Sequence, residues 1–315
     1  MKYIKDYRDG DRIGGIFLCK QKQSLVTKNG KPYEALILQD KTGCVDGKIW
    51  DVGSPGIADY DALDYIEIGG DVTTFNNMPQ FHIKRLRVAK EGEFDPADYL
   101  PMTKKNIDEM MRDLLHIVDS IENTWCKKLL ESFFVEDEAF VEAFKKSSAA
   151  KSVHHSFVGG LLEHTLSVTK LCEYYCGSYP VLRRDLLLTT AMLHDIGKVR
   201  EYSQFPQNDY TDEGNLLGHI VMGSEMIGKK ADAIEGFPLQ ILNEIKHCIL
   251  AHHGELEFGS PKRPSLIEAF ALNLADNTDA KMETFTELLE STEETGWLGF
   301  NKFLNNNVRP TGFYS

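Results

Sequence analysis

The hydrophobic pattern of this 315-residue chain changes its period near residue 100, and that change limits what the chain can fold into. Before it, short runs rich in Val, Ile, Leu and aromatic residues alternate with turn signals. Residues 12–25, 33–39, 44–50, 65–75 and 81–89 read as strands, separated by Asn29-Gly30, Lys41-Thr42-Gly43 and Asn76-Asn77-Met78-Pro79. After it, apolar residues recur at three-to-four spacing, as a buried helix face requires: Ile107, Met110, Met111, Leu114, Leu115, Val118 and Ile121. The expected fold class is multidomain β + α. Residues 1–90 form the β domain, 91–102 a charged linker carrying Pro96 and Pro101, and 103–315 an all-helical domain.

Within the first domain, residues 53–64 separate the third and fourth strands and are long enough for a short helix. Five strands with a helix after the third resemble the layout of an OB-fold barrel, a fold that binds nucleic acid. Within the second, residues 103–150 form leading helices, with Thr103 as a cap and further helices expected over 125–134 and 136–146. Residues 151–285 read as helical apart from 202–217, where Pro206, Asn208, Asp209, Asp212 and Gly214 predict a hairpin or long loop.

A net charge of −13 argues against nonspecific coating of nucleic acid. The charge is unevenly divided, however. Residues 1–90 hold 14 Lys+Arg against 12 Asp+Glu, so the β domain is the better partner for a polyanion and the acidic remainder the better place for a cation. No apolar run approaches the roughly 18 residues of a membrane span. The N-terminus lacks a signal peptide's apolar stretch. The six cysteines form no CxxC pair, so reduced thiols in a cytoplasmic protein are expected.

Eight of the ten histidines fall between 154 and 253. The run 186–193 should be a buried helix, and it ends in His194-Asp195, followed by Gly197 and Lys198. His164 lies beside the apolar stripe of the 159–175 helix. His219 opens another helix, His252-His253 close the helix 242–251, and Asp276 interrupts the apolar segment 271–275. A lone buried histidine is usually a satisfied core residue, but polar groups repeated at successive apolar helix ends are costly unless paired or ligating. Imidazole with carboxylate suits Mn, Fe, Co, Ni or Zn, and the absence of cysteine from the set argues against a structural zinc. Seven residues (His164, His194, Asp195, His219, His252, His253 and Asp276) are enough for two divalent ions with Asp195 bridging, the arrangement that serves phosphoester hydrolysis.

His164, His194-Asp195 and Asp276 match the H…HD…D signature of the HD-domain phosphohydrolase superfamily, and His219 with His252-His253 resemble the extra ligands of its dinuclear members. The whole chain resembles the YhaM-type 3′-to-5′ exoribonucleases, an N-terminal OB-fold followed by an HD domain. That likeness is carried by Gly159-Gly160-Leu161-Leu162-Glu163-His164-Thr165, by Tyr210-Thr211 and Gly218-His219-Ile220, by Glu257-Phe258-Gly259-Ser260-Pro261, and by Asp276-Asn277 with Asp279-Ala280-Lys281. It implies an Mn- or Co-dependent enzyme that releases nucleoside monophosphates from the 3′ end of single-stranded RNA, with single-stranded DNA as a second substrate.

On that reading His164, His194, Asp195 and Asp276 hold one ion, and Asp195, His219, His252 and His253 the other. Lys198 adds positive charge at the phosphoryl oxygens. Arg200 is a weaker phosphate candidate, and His154 or His155 a candidate for touching substrate or protonating the leaving oxygen. Trp50, Phe75 and Phe81 are the candidate base-stacking aromatics of the barrel, with Lys48, Lys84, Arg85 and Arg87 as its basic residues; Lys262 and Arg263 are further phosphate contacts. Exposed apolar positions on the 107–146 helices are the surface expected to support a homo-oligomer. Two rivals remain open. One is an HD phosphohydrolase of free nucleotides or cyclic dinucleotides, which would ignore oligonucleotides. The other is a binding module without turnover, which would keep its RNA affinity after chelation.

Overall fold

The computed structural model describes residues 2–75, 78–151, 155–290, 292 and 294–312; His154 and the Asn76-Asn77 turn signal lie outside the described residues. The chain divides into two compact units, Met1–Met102 with Phe205–Gln207, and Thr103–Gln204 with Asn208–Ser315.

The first unit is a closed barrel of β1 (Arg12–Val26), β2 (Pro32–Asp40), β3 (Gly43–Ile49), β4 (Tyr65–Phe75) and β5 (Met78–Val88), ordered β1-β2-β3-β5-β4. All neighbours are antiparallel except β3 and β5, which run parallel. Closure depends on the length of β1. Its first half pairs with β4, its second half pairs with β2, and a register shift between Cys19 and Gln21 turns it from one partner to the other. Alternation along β3 sends Val45, Gly47 and Ile49 inward and Asp46, Lys48 and Trp50 outward. Residues 53–64 form no helix. Gly53, Pro55 and Gly56 hold the segment in turns, and Ala58 N donates to Leu86 O (3.0 Å). Residues 91–102, expected as a linker, fold back on the barrel. Phe94 stacks on Tyr65 at 3.9 Å, and Gln39 Nε2 donates to Tyr99 O (3.0 Å).

Phe81, expected to stack a base, is instead 0% exposed. It meets Tyr7 and Phe17 edge-on at 5.0 and 5.6 Å in the centre of the barrel. Its place on the inward face of β5 removes it from any ligand.

The second unit is helical: α1 (Ile107–Asp119), α2 (Thr124–Phe134), α3 (Glu138–Lys146), α4 (Gly160–Ser178), α5 (Arg184–Leu193), α6 (Lys198–Glu201), α7 (Asp212–Asp232), α8 (Leu239–Ala251) and α9 (Ile267–Glu290), then a small hairpin of β6 (Gly299–Asn301) and β7 (Asn306–Val308). Thr103 lies outside α1; Asn106 caps it instead, accepting from Glu109 N (3.0 Å). The apolar faces of α1–α3 are buried in the helical core with those of α4, α5 and α8, and Val135 stays 56% exposed at the end of α2. The stretch 202–217 is a loop only to Thr211. Thr211 Oγ1 accepts from Gly214 N (2.9 Å) and starts α7 there. Gly218 then breaks α7 with a φ of 72°, a conformation open to glycine, so that His219 begins a second helical segment. All six cysteines are free, and among the described residues no helix is long and apolar enough to cross a membrane.

Replacing Phe81 by Ala should destabilise the barrel by about 3–5 kcal/mol, the usual cost of emptying an aromatic core position. Urea unfolding followed by tryptophan fluorescence checks this, and an unchanged midpoint would contradict the burial.

Candidate metal centre

Four helix termini and two helix faces bring the polar groups together. The apolar run of α5 is buried to its last residue, so His194 and Asp195 emerge from it inside the core. α8 ends in the same way at His252-His253. His164 lies in the second turn of α4, and Asp276 and Asp279 share a face of α9 at three-residue spacing. Gly197 follows Asp195 with an ordinary helical φ of −62°, so it is no left-handed stop. Its role is close approach: a Cβ there would lie 2.0 Å from His219 O. That contact holds the start of the second α7 segment against the His194-Asp195 turn.

Five imidazoles share one orientation. His164 Nδ1 donates to Asp279 Oδ2 (2.7 Å), His194 Nδ1 to Ala191 O (2.8 Å), His219 Nδ1 to Glu201 Oε1 (3.0 Å), His252 Nδ1 to Ile249 O (2.7 Å) and His253 Nδ1 to Phe258 O (2.9 Å). Each bond fixes the tautomer and leaves Nε2 bare. The bare nitrogens form two groups around Asp195. Its Oδ2 is 3.4 Å from His164 Nε2 and 3.2 Å from His194 Nε2. Its Oδ1 is 3.5 Å from His219 Nε2 and 3.6 Å from His252 Nε2. Asp276 Oδ1 completes the first group, 3.2 Å from His164 Nε2, and His253 completes the second. In each group the ligating atoms lie within 4.8 Å of one another.

This geometry calls for positive charge beyond that of Lys198. His164 and His194 face each other Nε2 to Nε2 at 3.1 Å, two lone pairs with nothing between them unless a proton or cation is held there. Asp195 Oδ1, His219 Nε2 and His252 Nε2 are buried without a hydrogen-bond partner among the described residues. Burial opposes the charge of Asp195, yet His194 and Lys198 hold its carboxyl well below the usual range; Asp276 is held low against burial by His164 and His194. Burial likewise opposes a charged His164, and Asp195, Asp276 and Asp279 overcome it, so its pKa is raised. The field that draws a proton onto His164 is the field a divalent cation would satisfy. On the other side, burial and His252 push His253 down to about 4, keeping that imidazole neutral and ready to ligate.

Lys198 Nζ lies 2.6 Å from Asp195 Oδ2 and lines a cavity of about 810 Å³ whose floor includes His164, His253 and Asp276. Other expected residues are placed differently. His155 is 2% exposed and does not line this cavity; its Nε2 donates to Asp279 Oδ2 (3.1 Å), so it supports the carboxylate that orients His164. Arg200 is paired with Glu213, and Arg263 with Glu255 (2.9 Å), while Lys262 is exposed beside it. On the barrel, Lys84 is paired with Asp71, and Arg87 with Glu67 and Glu93, which leaves both poorly suited to phosphate. Arg85 is exposed and lies over Gly69 and Gly56, and Phe75 is exposed at the end of β4. Trp50 stacks on Tyr33 at 4.9 Å and meets His82 edge-on at 6.1 Å, and Lys48 is the register partner of His82.

The sequence reading gave Asp279 no role of its own and missed Glu201 and Tyr33. Asp279 had a visible signal, its three-residue spacing from Asp276 on one helix. Glu201 and Tyr33 had none, since their partners His219 and Trp50 are near only in the fold.

Residues 161–281 match the HD domain family model. The helical unit therefore carries an HD domain, the mark of a metal-dependent phosphohydrolase. Among solved structures, the chain is similar to the second OB-fold domain of replication protein A from Methanococcus maripaludis, with 16% identity over 29% of this chain and 96% of that one (TM-score 0.24). It is also similar to a replication protein A heterotrimer bound to single-stranded DNA, with 15% identity over 28% of this chain and 64% of that one (TM-score 0.22). Asparaginyl-tRNA synthetase from Pyrococcus horikoshii aligns at 10% identity over 77% of this chain and 61% of its own (TM-score 0.24). The last two alignments span under two thirds of the chains they match. Likenesses this distant carry no functional argument, and the barrel is recognised by its own strand order and closure.

Replacing Asp279 by Asn should weaken Mn²⁺ binding by roughly 10–100-fold, the usual effect of losing the carboxylate behind a ligating imidazole. Calorimetric titration of the metal-free protein reads this directly, and an unaltered affinity would show that Asp279 does not orient a ligand.

Proposed function

We propose that this protein is a metal-dependent 3′-to-5′ exoribonuclease that hydrolyses single-stranded RNA, and single-stranded DNA where it is offered, to nucleoside 5′-monophosphates. The observation that carries the reading is the convergence of five bare Nε2 atoms and two carboxylates on two points, with one oxygen of Asp195 facing each. His164, His194, Asp195 and Asp276 fit one ion, and Asp195, His219, His252 and His253 fit the other. Mn²⁺ or Co²⁺ are the ions implied by the resemblance to the YhaM-type enzymes, which also supplies the polarity and the preference for RNA. Two such ions, when bound, lower the pKa of water and neutralise charge on the phosphoryl oxygens.

The protein's own groups do the rest. Asp279, Glu201 and the carbonyls of Ala191, Ile249 and Phe258 lock the imidazole tautomers. Lys198 extends a cation into the cavity, where a substrate phosphoryl oxygen takes the place of its contact with Asp195. The barrel supplies strand binding through Trp50 and Tyr33 as stacking surfaces and Lys48 as a phosphate contact. A free-nucleotide hydrolase would have no use for an exposed Trp50 backed by Tyr33.

Incubating a 5′-labelled 20-mer RNA with Mn²⁺, with EDTA, and with an Asp195→Ala variant tests the assignment. A ladder that shortens from the 3′ end, only with metal and intact Asp195, is expected; an intact oligonucleotide with metal-loaded protein sinks it. Trp50→Ala should also weaken single-strand RNA binding about tenfold, the loss of one stacked base. Fluorescence anisotropy in EDTA separates that effect from turnover.

A further inference from the structure

The cavity in front of the candidate ligands is walled partly by residues beyond the HD match. That match ends at residue 281, yet Lys302, Phe303, Leu304 and Asn305 line the cavity together with Lys198 and Asp276. These four residues are the tip of the β6–β7 hairpin, and the tip is firmly built. Leu298 N donates to Val308 O (2.8 Å), and Val308 is buried. Asn301 Oδ1 accepts from Phe303 N (2.9 Å) and Leu304 N (3.0 Å).

Two features of this wall point to a ligand. The first is charge. Lys281 and Lys302 both line the cavity, and neither joins an ion pair among the described residues. Arg200 and Arg263 nearby are matched by carboxylates, and the chain has a net charge of −13. Two uncompensated ammonium groups beside a cation-seeking site suit a phosphate. The second is apolar surface. Phe258, Phe270 and Phe303 line the same cavity while 65%, 53% and 57% exposed. Solvent-exposed aromatic faces on a cavity wall gain from a planar ligand laid on them. Rings and ammonium groups sharing one cavity match the two ends of a nucleotide.

We propose that the hairpin 299–308 is the specificity wall of this site. Phe303 stacks the base of the bound terminal nucleotide, and Lys302 with Lys281 holds its phosphate side. This deepens the nuclease reading and rests on it for the polymer to which that nucleotide belongs.

The test titrates the full-length, Mn²⁺-loaded protein with adenosine 5′-monophosphate and with ribose 5-phosphate, and measures KM and kcat on a 20-mer RNA. The wild type should bind the nucleotide about tenfold more tightly than the baseless sugar phosphate, the contribution of one stacked base. Phe303→Ala should erase that preference and raise KM for RNA by a similar factor, and Phe303→Tyr should restore both. Lys302→Ala should weaken both ligands alike and reduce the dependence of binding on salt. A wild type without the preference, or a Phe303→Ala variant that keeps it, overturns the inference. The two readings fail separately. Phe303-dependent nucleotide binding with uncut RNA removes the nuclease and leaves the wall standing. RNA shortening indifferent to Phe303 removes the wall and leaves the nuclease.

Discussion

An imidazole that donates its Nδ1–H has one lone pair left, on Nε2, and that constraint organises the helical unit. Five histidines obey it, and their partners are main-chain carbonyls of the histidine's own helix (His194, His252) or of the turn that follows (His253), or carboxylates delivered from another element (His164, His219). The carbonyl partners come without further cost, because the last carbonyls of a helix lack intrahelical donors. This is why His194 and His252 sit just past the final turns of α5 and α8. Their Nδ1–H groups satisfy orphan acceptors behind them while their Nε2 atoms face forward. Leaving Asp195 and the bare nitrogens buried is unfavourable for the protein alone. The surrounding apolar core, tightly filled from α1 to α9, holds them there regardless.

The same core explains the division of labour between the two units. The barrel has its own buried cluster, built on Phe17, Leu38, Ile66 and Phe81, and the polar side chains it buries, such as Gln39 and Glu34, are paired within the unit. Its aromatic surface is on the outside, where Trp50 is 41% exposed. The helical unit places its chemistry deep, beneath the cavity that Lys198 lines. An exposed stacking surface suits a long flexible ligand, and a deep polar centre suits a reaction from which bulk water is kept away.

Much of this was legible in the sequence for a physical reason. Strand alternation and helical spacing follow from burial on one face, so the five strands and most helices could be read directly. The seven candidate ligands stood out because a charged or imidazole side chain at the end of an apolar helix violates its surroundings. Legibility failed where a residue's meaning depends on a distant neighbour. Phe81 has the same composition signal as an exposed stacking ring, and only its register on β5 assigns it to the core. Residues 53–64 had helical length but turn-forming chemistry. Glu201 and Asp279 act through His219 and His164, and Tyr33 through Trp50. The terminal hairpin carries no local signal at all, since Lys302 and Phe303 gain their meaning only beside Lys198 and Asp276.

The packing of Gly197 on the carbonyl of His219 leads to a further point. The separation between the two halves of the site is gauged there by main chain resting on main chain, a spacer with no rotamers and no side chain to vary. Such a gauge cannot drift as the surrounding core is repacked, so the helices around it are free to change their apolar residues while the site keeps its span. In a saturation screen, Gly197 would appear as intolerant as a ligand, although it offers no atom to any ion.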